Sequence, residues 1–111
     1  YKAYSKYGVQ LCGYNYAQTS AAYGQWFEEH DQAVEGGLST ENVHNMVLRA
    51  GDLYCQSGEY NGRYKNIYHI EMFAGYVFKG YRTDGSPILG TLWANAKQDA
   101  YTLDGGIIGR P

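Results

Sequence analysis

The chain has 111 residues, with 9 Lys and Arg against 11 Asp and Glu, a formal charge of −2 and 44% hydrophobic content. That length fits one domain, taken as residues 1–111, with a modest core. No basic stripe is present to hold a phosphate backbone, so no nucleic-acid partner is expected. No apolar run approaches the roughly 18 residues that a membrane span needs.

In chain order, residues 1–11 show no clean period and are read as an irregular lead-in. The stretch "CGYNYAQTSAAYGQWFEEHDQAV" is then predicted as the first helix. In it Tyr16, Ser20, Tyr23 and Phe27 recur at the spacings that one helical face requires, with Cys12 at or just before the first turn. "EGG" at 35–37 reads as a stop and a turn. "LSTENVHNMVLRAG" is predicted as a shorter helix, capped by Ser39 or Thr40, with Val43, Met46, Val47 and Ala50 as its buried stripe and Gly51 as its end.

From Gly51 the pattern becomes strand-like. "DLYCQS" is a short strand, "EYNGRYKN" a polar turn, and "IYHIEMFAGYVFKGYR" a long strand that its glycines would bend. "TDGS" marks a tight hairpin turn, "PILGTLWANAK" the returning strand, and "DAYTLDGGIIG" a last short one. Two helices followed by an antiparallel meander give an α+β fold class.

Thirteen tyrosines stand out in this composition. Tyr pairs an apolar ring with a polar tip, so it serves either a small wet core or a surface that stacks on sugars and peptides. His30, His44 and His69 share no His-x-x-x-His spacing and no Cys-x-x-Cys occurs, so no metal or other cofactor is expected. Two cysteines, Cys12 and Cys55, allow either one disulfide or two thiols. A thiol at a helix N-terminus meets unpaired backbone N–H groups that favour thiolate, the nucleophile that attacks an amide carbonyl. Its partner should be a histidine on a rigid strand, oriented by a third polar side chain. His69 has that setting, and Asn95 falls on the strand returning past it.

"GVQLCGYNYA", then "RAGDLYC", then "IYHIEMFAG" together resemble the NlpC/P60 and CHAP group of papain-like cysteine hydrolases over about residues 9–95. In that group a Cys opens the first helix, a Gly-Asp-Leu turn leads the first core strand, and a His begins the next strand. The resemblance implies a papain-like α+β fold with N-terminal helices packed on an antiparallel sheet. It implies Cys12 as nucleophile, His69 as general base and then acid, and Asn95 as the orienting residue, with Asp99, Gln98 or Glu71 as alternatives for that third role. It further implies cleavage of amide bonds, most often in peptidoglycan stem peptides or the muramoyl–alanine amide. Tyr14, Tyr54 and Tyr76 are the candidate substrate-binding tyrosines. A secreted or cell-envelope setting is expected by analogy, for a cell-wall enzyme or an antibacterial toxin domain, the latter with an immunity protein as partner. Two further readings stay open. One is a small ribonuclease-like protein using His69, Glu71 and an arginine such as Arg63 or Arg82. The other is a non-enzymatic Tyr-rich binding domain stapled by Cys12–Cys55.

Overall fold

The structure is a computed structural model that describes residues 11–14 and 16–111, so almost all of the expected lead-in lies outside the described residues. Among the described residues, two helices, three short 3₁₀ turns and five strands form a small α+β domain around one antiparallel sheet.

Helix α1 spans Ser20–Glu29. It is much shorter than the stretch over 12–34 that the spacing predicts. Thr19 sets its start, its hydroxyl accepting from the Ala22 N–H at 3.1 Å. Upstream, Leu11–Gly13 form a separate 3₁₀ turn, with Cys12 and Gly13 at φ 56° and 73°. Those left-handed values cannot continue into a right-handed helix. Downstream, Asp31 at φ 54° closes it. Tyr23 and Phe27 are buried as the periodicity predicts, but Tyr16, outside the helix, is exposed. Gly24 contributes by being small, because a Cβ there would sit 2.5 Å from Ile67 Cδ1. The helix therefore rides close over the sheet.

Helix α2 is only Thr40–His44, capped by Ser39, whose Oγ accepts from Asn42 N at 3.1 Å. Met46, at φ 53°, turns the chain away, so it and Ala50 are exposed rather than buried; Leu48 takes their place in the core.

The strands are β1 (Leu53–Ser57), β2 (Ile67–Tyr81), β3 (Pro87–Trp93), β4 (Lys97–Gln98) and β5 (Ile107–Gly109), in sheet order β4-β3-β2-β1-β5. The hairpin between β2 and β3 turns at residues 82–86, with Arg82 N–H bonded to Ser86 O and Asp84 Oδ1 accepting from Ser86 N. The meander ends at β3 and the two-residue β4. Strand β5 then crosses back to pair with β1 on the far edge, Leu53 opposite Gly109 and Cys55 opposite Ile107.

Period-two alternation splits the core into two layers on opposite faces of this sheet. Leu53, Cys55 and Ile107 turn to the face that carries α1 and the 3₁₀ turn of Leu11 and Cys12. Tyr54 and Ile108 turn the other way, to Leu38, Val43, Leu48, Phe73 and Trp93. A register slip between Gln56 and Ser57 places β2 on this scheme: Gln56 pairs with His69, but Ser57 pairs with Ile67. The extra residue lets Ile67 and Ile70 both pack on the α1 layer, although three positions apart.

Candidate functional site

The Gly51-Asp52-Leu53 turn that carries much of the family resemblance is a structural clamp. Gly51 takes φ 98°, and the turn is tied to β2 by Gly51 N–H to Phe73 O and Phe73 N–H to Asp52 O, both 2.8 Å. Asp52 is buried, and its carboxylate accepts from Arg110 Nη2 at 2.7 Å, Arg110 Nε at 3.0 Å and Arg49 N at 2.9 Å. This bidentate guanidinium fork matches the planar carboxylate. Arg110 also donates to Val47 O, which joins the residue after β5 to the segment before β1.

Cys12 is 5% exposed and packs in the α1 layer together with Cys55; both are free thiols. Burial pushes the Cys12 thiol up to about 11. Burial, reinforced by Cys12, pushes Cys55 up to about 12. A helix N-terminus would have the opposite effect, but α1 begins eight residues later, at Ser20. Among the described residues no histidine hydrogen-bonds to Cys12: His30 Nδ1 lies 2.8 Å from Trp26 O, His44 Nδ1 lies 2.7 Å from Arg82 Nη1, and His69 has partners on the other face of the sheet.

His69 points away from Cys12. Its neighbours Ile70 and Met72 pack on the Cys12 layer, so His69 and Glu71, in alternation, face the layer of Tyr54 and Tyr101. There His69 Nε2 lies 3.1 Å from Glu71 Oε2 and 3.1 Å from Tyr101 Oη. Tyr101 Oη donates to the same Glu71 oxygen at 3.0 Å, and Lys97 Nζ approaches it at 3.4 Å. A carboxylate only accepts, and the tyrosine proton is already directed to it. The pair is therefore satisfied when Nε2 carries the imidazole proton, which leaves the Nδ1 lone pair unused. The His69 side chain is 41% exposed and that of Glu71 only 9%, so the imidazole is reachable while the carboxylate is enclosed.

The electrostatics agree with that assignment. Burial pulls the Glu71 carboxyl up, but bonds from Tyr101, His69 and Lys97 outweigh it and hold the group below the ordinary glutamate value. Burial and the facing Glu71 carboxylate push the Tyr101 hydroxyl up to about 12, so it stays a donor.

Asn95 does not orient His69. Strand β3 stops at Trp93, and Asn95 sits exposed in the 3₁₀ turn Ala94–Ala96 at φ 63°. Of the alternatives for that role, Asp99 pairs with Lys79 at 3.0 Å, Gln98 lies exposed on β4, and Glu71 alone bonds to His69. Nor are the three candidate substrate tyrosines gathered around a cleft. Tyr54 is fully buried with its hydroxyl given to Asp104, Tyr76 donates to Leu48 O at 2.8 Å, and Tyr14 stands edge-on to Tyr23 in the α1 layer. Among the described residues the exposed tyrosines are others: Tyr68, in ring contact with His69, Tyr60, which shares a cleft with Tyr68, and Tyr16 and Tyr81 elsewhere.

Tyr101 and Lys97 escape a reading of the sequence because they reach Glu71 from segments 30 and 26 residues further along the chain, a juxtaposition only the folded sheet makes. The usable signal was Glu71 itself, two residues from His69 and so on the same strand face. Among the described residues no three His, Cys, Asp or Glu side chains cluster closely enough to hold a metal ion, and no helix is long and apolar enough to cross a membrane. Comparisons with protein-family models, with characterised proteins and with solved structures find no match to this chain.

Proposed function

We propose that this protein is a hydrolase whose general base is His69, held by Glu71 and backed by Tyr101. One observation carries the reading: a half-exposed imidazole whose Nε2 is fixed by an enclosed carboxylate, with no partner for Nδ1 among the described residues. In the reaction Nδ1 accepts the proton of the attacking group, Glu71 stabilises the imidazolium so formed, and the same proton passes to the leaving group.

The bond attacked is an amide, the substrate class implied by the resemblance of the Cys12, Gly51-Asp52-Leu53 and His69 segments to the NlpC/P60 and CHAP group, with peptidoglycan stem peptides as the substrate to try first. A secreted or envelope setting, and an immunity protein as partner for a toxin form, go with that reading. The nucleophile the observations favour is water, which reaches His69 directly. The Cys12 thiol, buried in the opposite layer, could attack only from an arrangement different from this one, and the papain-like architecture is proposed on the same condition. A second reading is favoured by the completeness of the His69–Glu71–Tyr101 cluster without any thiol. In a ribonuclease-like transesterification the substrate's own 2′-hydroxyl attacks phosphorus while His69 takes its proton, the P–O5′ bond breaks and the 5′-oxygen leaves with a proton from solvent, so no protein nucleophile is needed.

The test is turnover of purified peptidoglycan and of RNA by wild type, His69→Ala and Cys12→Ala. Removing the base should cost on the order of 10²–10⁴-fold on the true substrate, while Cys12→Ala stays near wild type. Full activity of His69→Ala on both substrates would sink the proposal. An inactive, folded Cys12→Ala would reinstate the thiol as nucleophile.

A further inference from the structure

Beside His69, the loop between β1 and β2 and the first residues of β2 enclose an open cleft lined by Gly58, Glu59, Tyr60, Asn61 and Tyr68. We infer that this cleft is a carbohydrate subsite that seats the flat face of a pyranose ring on Tyr68, next to His69. Its place in catalysis rests on the proposed hydrolase reading; the binding itself does not.

The platform is built in advance. Tyr68 is 58% exposed, yet the Cδ1–Cε1 edge of its ring lies against Gly58, where a Cβ would come within 2.6 Å of Cε1 and 2.7 Å of Cδ1. Gly58 N–H bonds to Asn66 O at 2.9 Å, so the surface beneath the ring is fixed. The opposite wall is fixed as well, because Asn61 Nδ2 donates to Ile67 O at 3.1 Å and Asn61 Oδ1 accepts from Arg63 N at 2.9 Å. Tyr60, 88% exposed, adds a second aromatic surface.

The rim selects among ligands that stack. Glu59 makes no hydrogen bond or ion pair among the described residues and offers acceptor oxygens only. It repels a phosphodiester and rewards a neutral ligand with several hydroxyl donors. A pyranose has both an apolar C–H face for the ring and hydroxyls for the rim. A quaternary ammonium is served by two tyrosines and a carboxylate only when the rings enclose it. Here the Cδ1–Cε1 edge of Tyr68 is held against Gly58 while the ring stays largely exposed, which suits a flat ligand lying on it. The contact of Tyr68 and His69, with ring centroids 6.4 Å apart, places such a ring directly beside the base.

The test is titration of the full chain with the β-1,4-linked N-acetylglucosamine tetramer, followed by NMR shifts and tyrosine fluorescence. Saturable binding in the millimolar range or tighter is expected. Tyr68→Ala should weaken it about tenfold, the worth of one aromatic contact. Gly58→Ala, which lifts the platform without touching the ligand's polar partners, should weaken it similarly. His69→Ala should bind as wild type does while losing hydrolysis, so failure of the base and failure of the subsite give different results. No saturable binding, equal binding by Tyr68→Ala, or preference for choline over the tetramer would each overturn the inference.

Discussion

At the scale of single residues, the molecule separates two groups that chemistry would want together. A thiol becomes a nucleophile when something stabilises its anion. Cys12 instead sits among Leu11, Tyr23 and Phe27, where burial raises it to about 11. The native protein should therefore react slowly with iodoacetamide at neutral pH and take up two equivalents only in denaturant. Fast single labelling of the native fold at Cys12 would show that the thiol is more open than this packing allows. Glu71 supplies the opposite case. Its carboxyl is held below the ordinary glutamate value, with burial opposing and the Tyr101, His69 and Lys97 bonds prevailing. A depressed acid contributes stability above its unfolded pKa and loses it as pH falls through the lower folded value. Thermal melts should thus hold roughly level down to about pH 4.5 and then drop. Glu71→Gln should drop less steeply, and an identical acid limb in that variant would discount the cluster's role.

Among the elements, the glycines of α1 and β5 decide how closely helix and sheet approach. A Cβ at Gly109 would fall 2.1 Å from the Phe27 ring, which is wholly buried and has nowhere to move. Gly109→Ala should cost about 2–3 kcal/mol by overpacking, seen as a lower urea midpoint at unchanged slope. A variant as stable as wild type would mean that α1 can lift from β5.

How much of this was legible in the chain varies by element. Strands β1, β2 and β3 announce themselves through alternating Val, Ile, Tyr and Phe and the "TDGS" turn between them. The helices were overextended because the 3.6-residue spacing of Tyr16, Ser20, Tyr23 and Phe27 is indifferent to the Thr19 cap and to the left-handed Cys12. That single backbone choice moves Cys12 from a helix N-terminus to a buried turn, and with it the expected nucleophile. The face of His69 was equally hidden. Alternation counted from Ile67 would put His69 on the Cys12 side; the slip opposite Ser57, which neither strand shows alone, breaks that count, and His69 follows Glu71 instead. Glu71 could be suspected from its place two residues along β2. Tyr101 could not, because it comes from an irregular segment 32 residues on.

For the whole molecule, one ion pair joins the ends of the fold. Asp52 has 3% of its side chain exposed, and Arg110 is the base that pairs with it. Removing the guanidinium strands a buried carboxylate, a loss of about 3 kcal/mol once the partial exposure of Arg110 is discounted. Arg110→Ala should therefore lower the melting temperature by many degrees at pH 7, and by more than Arg110→Lys, which keeps a positive charge beside Asp52. Equal losses in the two variants would place the effect in the guanidinium fork and its packing rather than in charge.

The same pair sets an order on the birth of the fold. Asp52 and Arg110 are 58 residues apart, and β5, which completes the edge of β1, directly precedes the arginine. A ribosome that has released β1, β2 and β3 has produced a hairpin meander with both edges open and an unneutralised acid at its base. Only when the last few residues of this segment emerge do the edge of β1 close and the acid find its counter-ion. Closure of this edge thus requires β5 and Arg110, and a nascent chain stalled before Ile107 should remain open to protease however long it waits.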